Sequence, residues 1–123
     1  MSLIDPSTVG LVSMALDAAV LRQQATAQNI ANAGTPGYQR IGVSFESRME
    51  ALRGQVRQGA TPSLATLRDF RPTPELVGAP GDAVPLDMEV AALSENALHQ
   101  QALLKMLNKH LGMLSIAINE GKR

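Results

Sequence analysis

The only histidines in the chain, His99 and His110, are its first candidates for metal binding or proton transfer. On one helix they would lie roughly 16 Å apart at 1.5 Å per residue, too far to share an ion. They read as solvated helix histidines. Asp82, Asp87 and Glu89, or Glu46 and Glu50, are candidate acid–base pairs by type and spacing. Their neighbours suggest no pocket, and acids in a helix's first turn are expected from its dipole alone. Ser44, Ser47 and Ser94 have no adjacent histidine to activate a hydroxyl. The run Gly34-Thr-Pro-Gly37 lacks the glycine spacing and the lysine of a phosphate loop. With no cysteine in the chain, thiolate catalysis, disulfides and cysteine-based zinc sites are excluded. These residues predict no catalytic site, no cofactor and no metal.

The elements behind them are more telling. At 123 residues the chain is expected to form a single domain. It has no tryptophan, one tyrosine and two phenylalanines, and its apolar content is mostly Ala, Leu, Val and Met. That suits helix-on-helix packing better than a sandwich or barrel. A formal net charge of zero argues against nucleic acid as a partner, since phosphate neutralisation needs a basic surplus. Arg48, Arg53, Arg57, Arg68 and Arg71 make the middle mildly basic, but without aromatic interleaving they read as a solvated face. The apolar runs are too interrupted for a transmembrane helix. The first residues, Met1 to Pro6, lack the basic and apolar regions of a cleavable signal peptide.

Three zones are expected. The first, residues 8–33, is a helix capped by Ser7 or Thr8. Val9, Val12, Leu16, Ala19, Val20, Ala27 and Ile30 fall on or beside one stripe, and Leu11, Met14, Leu21 and Ala25 flank it. The second zone, residues 34–85, holds six of the seven prolines. Asn29, Asn32, Gly34, Pro36, Gly37 and Tyr38 form a helix stop and turn, with Asn32 and Gly34 suited to left-handed closure. A short helix is predicted over 43–53 from Phe45, Met49 and Leu52, a short strand over 64–70, and a loop over 78–82. The third zone, residues 86–119, carries a sustained heptad. Its a positions are Val90, Ala97, Leu104, Leu111 and Ile118; its d positions are Leu86, Leu93, Gln100, Leu107 and Leu114.

The predicted fold is therefore mainly α: an antiparallel, coiled-coil-like pair of long N- and C-terminal helices, with an irregular Pro/Gly-rich middle segment holding a short helix and short strands. Both helices carry more apolar residues than one shared seam needs. Leu98, Ala102, Leu103, Met106, Met113 and Ile116 lie off the heptad seam, and such surplus marks packing between molecules. The chain is accordingly expected to be only marginally folded in isolation. Val9, Val12, Leu16, Ile30, Val90, Leu93, Leu104, Leu107, Leu111, Leu114 and Ile118 are the candidate assembly residues.

Residues Leu21 to Gln24, followed by Asn-Ile-Ala-Asn-Ala-Gly-Thr-Pro-Gly-Tyr from Asn29 to Tyr38, resemble the N-terminal signature of bacterial flagellar rod and hook proteins. The segments Phe45 to Leu52, Val84 to Leu98 and Leu111 to Ile118 are similar to those of the FlgB-type family of flagellar basal-body rod proteins. Asp82 stands where that family often has asparagine, and Gln100-Gln101 where an aromatic is common.

The resemblance implies a non-enzymatic structural subunit of the proximal rod, which transmits torque and encloses the export channel. It implies export through the flagellar type III apparatus without a cleaved signal peptide, and a place in the periplasm-spanning rod. The partners implied are other copies of the chain, a neighbouring FlgC-type rod protein, the FliE adaptor, and the export gate with its membrane ring. No nucleic acid or small-molecule substrate is implied. Two alternatives stand beside this: another short rod protein of the FlgC type, or a soluble helical export adaptor or chaperone that holds a partner helix in a groove.

Overall fold

The computed structural model describes residues 6–59 and 71–121. The N-terminal helix, α1, spans Pro6–Ala31. Proline suits a first helical position, because its φ is preset and the N–H it lacks would have no partner there. The helix thus starts before Ser7 and Thr8, which fall inside its first turn, and it ends two residues short of the expected boundary. At its end Asn32 sends both its backbone N–H (3.0 Å) and its side-chain Nδ2 (2.9 Å) to the Gln28 carbonyl. Among the described residues no non-glycine residue has a positive φ, and Gly34 has none either. The expected left-handed closure at Asn32 or Gly34 is therefore replaced by tight turns, in which Ala33 N–H donates to the Ile30 carbonyl at 3.4 Å and Thr35 N–H to the Asn32 carbonyl at 2.9 Å.

The bend follows one step later. Tyr38 N–H donates to the Thr35 carbonyl at 3.2 Å, with Pro36 and Gly37 between them and Gly37 at φ +75°. This is a type II turn, which places proline second and demands a positive φ third. It feeds strand β1 (Ile41–Ser44), which pairs antiparallel with β2 (Thr73–Leu76), Ile41 opposite Leu76 and Ser44 opposite Thr73. The helix expected over 43–53 begins later and runs longer, as α2 (Glu46–Arg57), because Val43 and Ser44 are taken by the strand. Leu52, expected on its apolar face, lies outside the described side chains. The strand expected over 64–70 also lies outside the described residues.

Val77 N–H donates to the Arg40 carbonyl at 2.8 Å, which sets the alternation of the ladder. Val43 and Pro74 then form a pair whose backbone groups point outward, so the N–H that Pro74 lacks leaves no ladder bond unmade. Gly42 sits where an added Cβ would come within 2.7 Å of Val77 Cγ2. The loop over 78–82 appears as expected, closed by Ala79 N–H on Asp82 Oδ2 at 2.9 Å.

The C-terminal helix, α3, spans Leu86–Gly121, with Asp87 and Glu89 in its first turn. It lies along α1 in the opposite direction: Glu89 meets Asn29 and, seven residues on, Asn96 meets Ala19. Ala18 and Ala19 are completely buried, and their small side chains allow close approach of the helices. α1 also carries Met14, packed with Leu11 and with Phe45 and Met49 of the middle segment, so this part of its apolar surplus is covered within the chain and not left for another molecule. The Arg22 guanidinium lies 5.8 Å from the centre of the Phe45 ring.

Candidate functional site

A polar junction forms at the end of the helix pair where α1, the turn, β1 and α3 meet. Asn29 lies within the last turn of α1, not beyond it, and is almost fully buried. Its Oδ1 accepts from Ile41 N–H at 2.9 Å and from the Tyr38 hydroxyl at 2.7 Å. Its Nδ2 donates to the Ile41 carbonyl at 2.9 Å and to Glu89 Oε2 at 3.2 Å. Every donor and acceptor of the amide is thereby used. Ile41 alternates with the residues bonded to β2, so its N–H and C=O face α1, and Asn29 closes that edge of the sheet.

Glu89 completes the junction from α3. It is nearly buried, and Arg40 Nη1 reaches its Oε1 at 2.9 Å from a half-exposed position. A buried carboxylate is tolerable only when paired and hydrogen-bonded, and Asn29 and Arg40 supply both. Burial, and secondly the nearby Glu89 charge, hold the Tyr38 phenol above its ordinary titration range. Arg22 on α1 is shifted down by burial.

The second feature is the face α3 turns to solvent. Its shielded stripe is Glu89, Leu93, Asn96, Gln100, Leu103, Leu107 and His110, in steps of four and three. The expected d residues Leu93, Gln100 and Leu107 lie on it; Leu86 and Leu114 are exposed. The expected a residues do not. Val90 (51%), Leu104 (44%), Leu111 (46%) and Ile118 (52%) are exposed, as is Ala97. The first four a positions are displaced outward because the residue before each one, Glu89, Asn96, Leu103 or His110, faces inward instead. The helix is thus turned by roughly 50° from the expected seam. Of the candidate assembly residues on α1, Val12 is buried and Val9, Leu16 and Ile30 are half-buried.

Sequence reasoning found Asn29 and Tyr38 but assigned Asn29 to a helix stop. It missed Arg40, Ile41 and Asn96 as structural partners and took Glu89 for a dipole acid. The available signal was an acid immediately before the apolar a position Val90.

Nothing at the junction has a free reactive group. An open cleft of about 300 Å³ lies between the helices, lined by Arg22, Phe45, Met49, Glu50, Arg53 and His99. His99 and Glu50 are the two groups of its lining that could ligate a metal, and no group of three or more metal-binding side chains occurs among the described residues. Among those residues, no helix is long and apolar enough to cross a membrane.

No protein-family model matches the chain. Curated relatives do. The chain is 30% identical over 132 residues to the flagellar basal body rod protein FlgB of Bacillus subtilis strain 168, covering 94% of this chain and 95% of that protein. It is 30% identical to FlgB of Escherichia coli K12 over 121 residues, 83% of this chain and 86% of the relative. It is 29% identical to FlgB of Yersinia enterocolitica over 119 residues, 83% and 87% of the two lengths.

Proposed function

Because the chain belongs to the FlgB family of flagellar basal body rod proteins, we propose that it is a structural, non-enzymatic subunit of the proximal rod, working as one rod-protein domain. Helices α1 and α3 form a coiled-coil-like pair in the rod wall, and the polar junction sets the direction in which the middle segment leaves it. The observation that carries this reading is the exposed apolar edge of α3. Val90, Ala97, Leu104, Leu111 and Ile118 recur every seven residues and face away from the chain's own core. A heptad stripe left outside a helix pair suits a further helix.

Its partners are other copies of the chain and neighbouring rod proteins, including one of the FlgC type. At the membrane end they are the FliE adaptor and the export gate with its ring. The subunit reaches the rod by flagellar export without a cleaved signal peptide. Fractionation of cells carrying an epitope-tagged chain tests the reading. The tagged chain is expected in purified basal bodies; its confinement to the cytoplasm would favour an export adaptor and overturn the rod assignment.

A further inference from the structure

The rotational setting of α3 needs an explanation. The edge formed by Val90, Ala97, Leu104 and Leu111 is wholly apolar, yet the edge turned inward is Glu89, Asn96, Leu103 and His110. Burial of apolar surface alone would favour the opposite choice. Two hydrogen bonds run against that preference, and both come from α3 residues seven apart. Glu89 Oε2 accepts from Asn29 Nδ2 at 3.2 Å, and Asn96 Nδ2 donates to the Ala19 carbonyl at 2.7 Å.

Neither bond adapts easily. The two bonds of Asn29 to the Ile41 backbone fix which way its amide points, and Ile41 is itself held by the register of the sheet. The remaining N–H of Asn29 therefore demands an acceptor at one place on α3. Turning α3 by roughly 50° would withdraw Glu89 and leave that donor buried and unpaired. It would also separate Glu89 from Arg40.

We propose that Glu89 and Asn96 are rotational pins: they hold α3 with its more polar edge against α1, and so keep the Val90–Ile118 edge free for a neighbouring helix. The use of that free edge in assembly rests on the rod reading; the setting of the helix does not. A buried polar residue that fixes the alignment of a helix pair at the expense of apolar burial is a known device of coiled coils. Here it decides which surface the subunit offers.

The chain has no cysteine, so single thiols report on the setting cleanly. Leu103→Cys and Leu104→Cys are made separately in the full chain, once with nothing else changed and once with Glu89→Leu and Asn96→Leu added. Labelling by a maleimide is followed in each. With the pins intact the thiol at 104 is expected to react about tenfold faster than that at 103, because the latter needs local opening. With the pins removed the two rates should converge or invert. A ratio that stays near tenfold overturns the proposal, and so does a ratio near one with the pins present.

Should the double leucine background lose its helical circular dichroism, Asn96→Ala alone decides, since it removes one pin and keeps helix propensity. A fall in the ratio supports the pins, and an unchanged ratio overturns them. Absence of the unaltered chain from basal bodies, with its labelling ratio intact, would strike the rod reading and leave the pins standing.

Discussion

Asn29 and Ile41 are paired as two strands would be, although one partner is a helical side chain. The amide of Asn29 takes both the N–H and the C=O of Ile41, each at 2.9 Å. A sheet of only two strands is marginal by itself. Here its inner edge is closed by a residue of α1, and the same amide reaches Tyr38 and Glu89.

Replacing Asn29 with alanine should therefore cost more than a helix-surface change. It strands the Ile41 backbone groups and removes partners of Tyr38 and Glu89. A loss of about 2–4 kcal/mol is expected. Asn29→Asp should be no better, because it sets a second carboxylate against Glu89. Urea unfolding followed by circular dichroism measures both; a loss under about 0.5 kcal/mol for Asn29→Ala, the size of an ordinary surface change, would contradict the junction.

Glu89 and Arg40 should be energetically coupled, by about 1–2 kcal/mol after allowing for the half-exposure of Arg40. Arg40→Gln alone leaves a buried carboxylate with one donor fewer and should hurt more than Arg40→Gln made in a Glu89→Gln background. A double-mutant cycle with additive effects would show that the pair contributes nothing.

The glycines of the turn should differ in their tolerance. Gly37 holds φ +75°, so Gly37→Val is strained whatever the space around it, by at least about 1–2 kcal/mol. Gly34 has no positive φ, and an added Cβ there meets nothing within 4 Å. Gly34→Val should swim nearly normally in soft agar while Gly37→Val is impaired. Equal motility of the two would refute the assignment.

Tyr38 is the sole tyrosine and the chain has no tryptophan, so its phenolate absorbance can be followed without interference. Its folded-state pKa is raised above its ordinary value, by burial first and Glu89 second. The folded chain therefore holds this proton more tightly than the unfolded chain. The stability it contributes is complete below about pH 10 and is lost as pH rises through the higher folded value. Thermal melts should fall more steeply above about pH 10 for the unaltered chain than for Tyr38→Phe. Glu89→Gln should bring the Tyr38 titration part of the way down; no movement would remove Glu89 from its causes.

Two leucines on α3 should fail in different ways. Leu103 is shielded, so Leu103→Asp should unfold the chain, at about 3–5 kcal/mol. Leu111 faces outward, so Leu111→Asp should keep the helical circular dichroism of the isolated chain and be exported, yet be missing from purified basal bodies. Recovery of Leu111→Asp in basal bodies would argue against the exposed edge as an assembly surface.

The two long helices were legible because Ala and Leu are their commonest residues and their apolar residues recur at helical spacing. The turn was legible too, since Thr35-Pro-Gly-Tyr38 spells out a type II geometry. The sheet was not. Strands of four residues that contain Gly42 and Pro74 are too short to show alternation, and the free edge of β1 is closed by a helix residue twelve positions upstream. The inward edge of α3 was not legible either. Periodicity favours burying the more apolar stripe, whereas here the more polar edge turns inward because Glu89 and Asn96 are hydrogen-bonded to α1.

Sequence alone determined a helix, a sharp bend, a weakly patterned middle and a second helix rich in apolar residues, because local propensity and turn chemistry act over a few neighbouring residues. Only the tertiary structure decided what Asn29 and Glu89 are for. Their partners lie 12 and 60 residues away along the chain, and a buried amide finds its acceptors in space, after the helices have met. That meeting made a supposed helix stop into a clamp and a supposed dipole acid into the residue that orients α3.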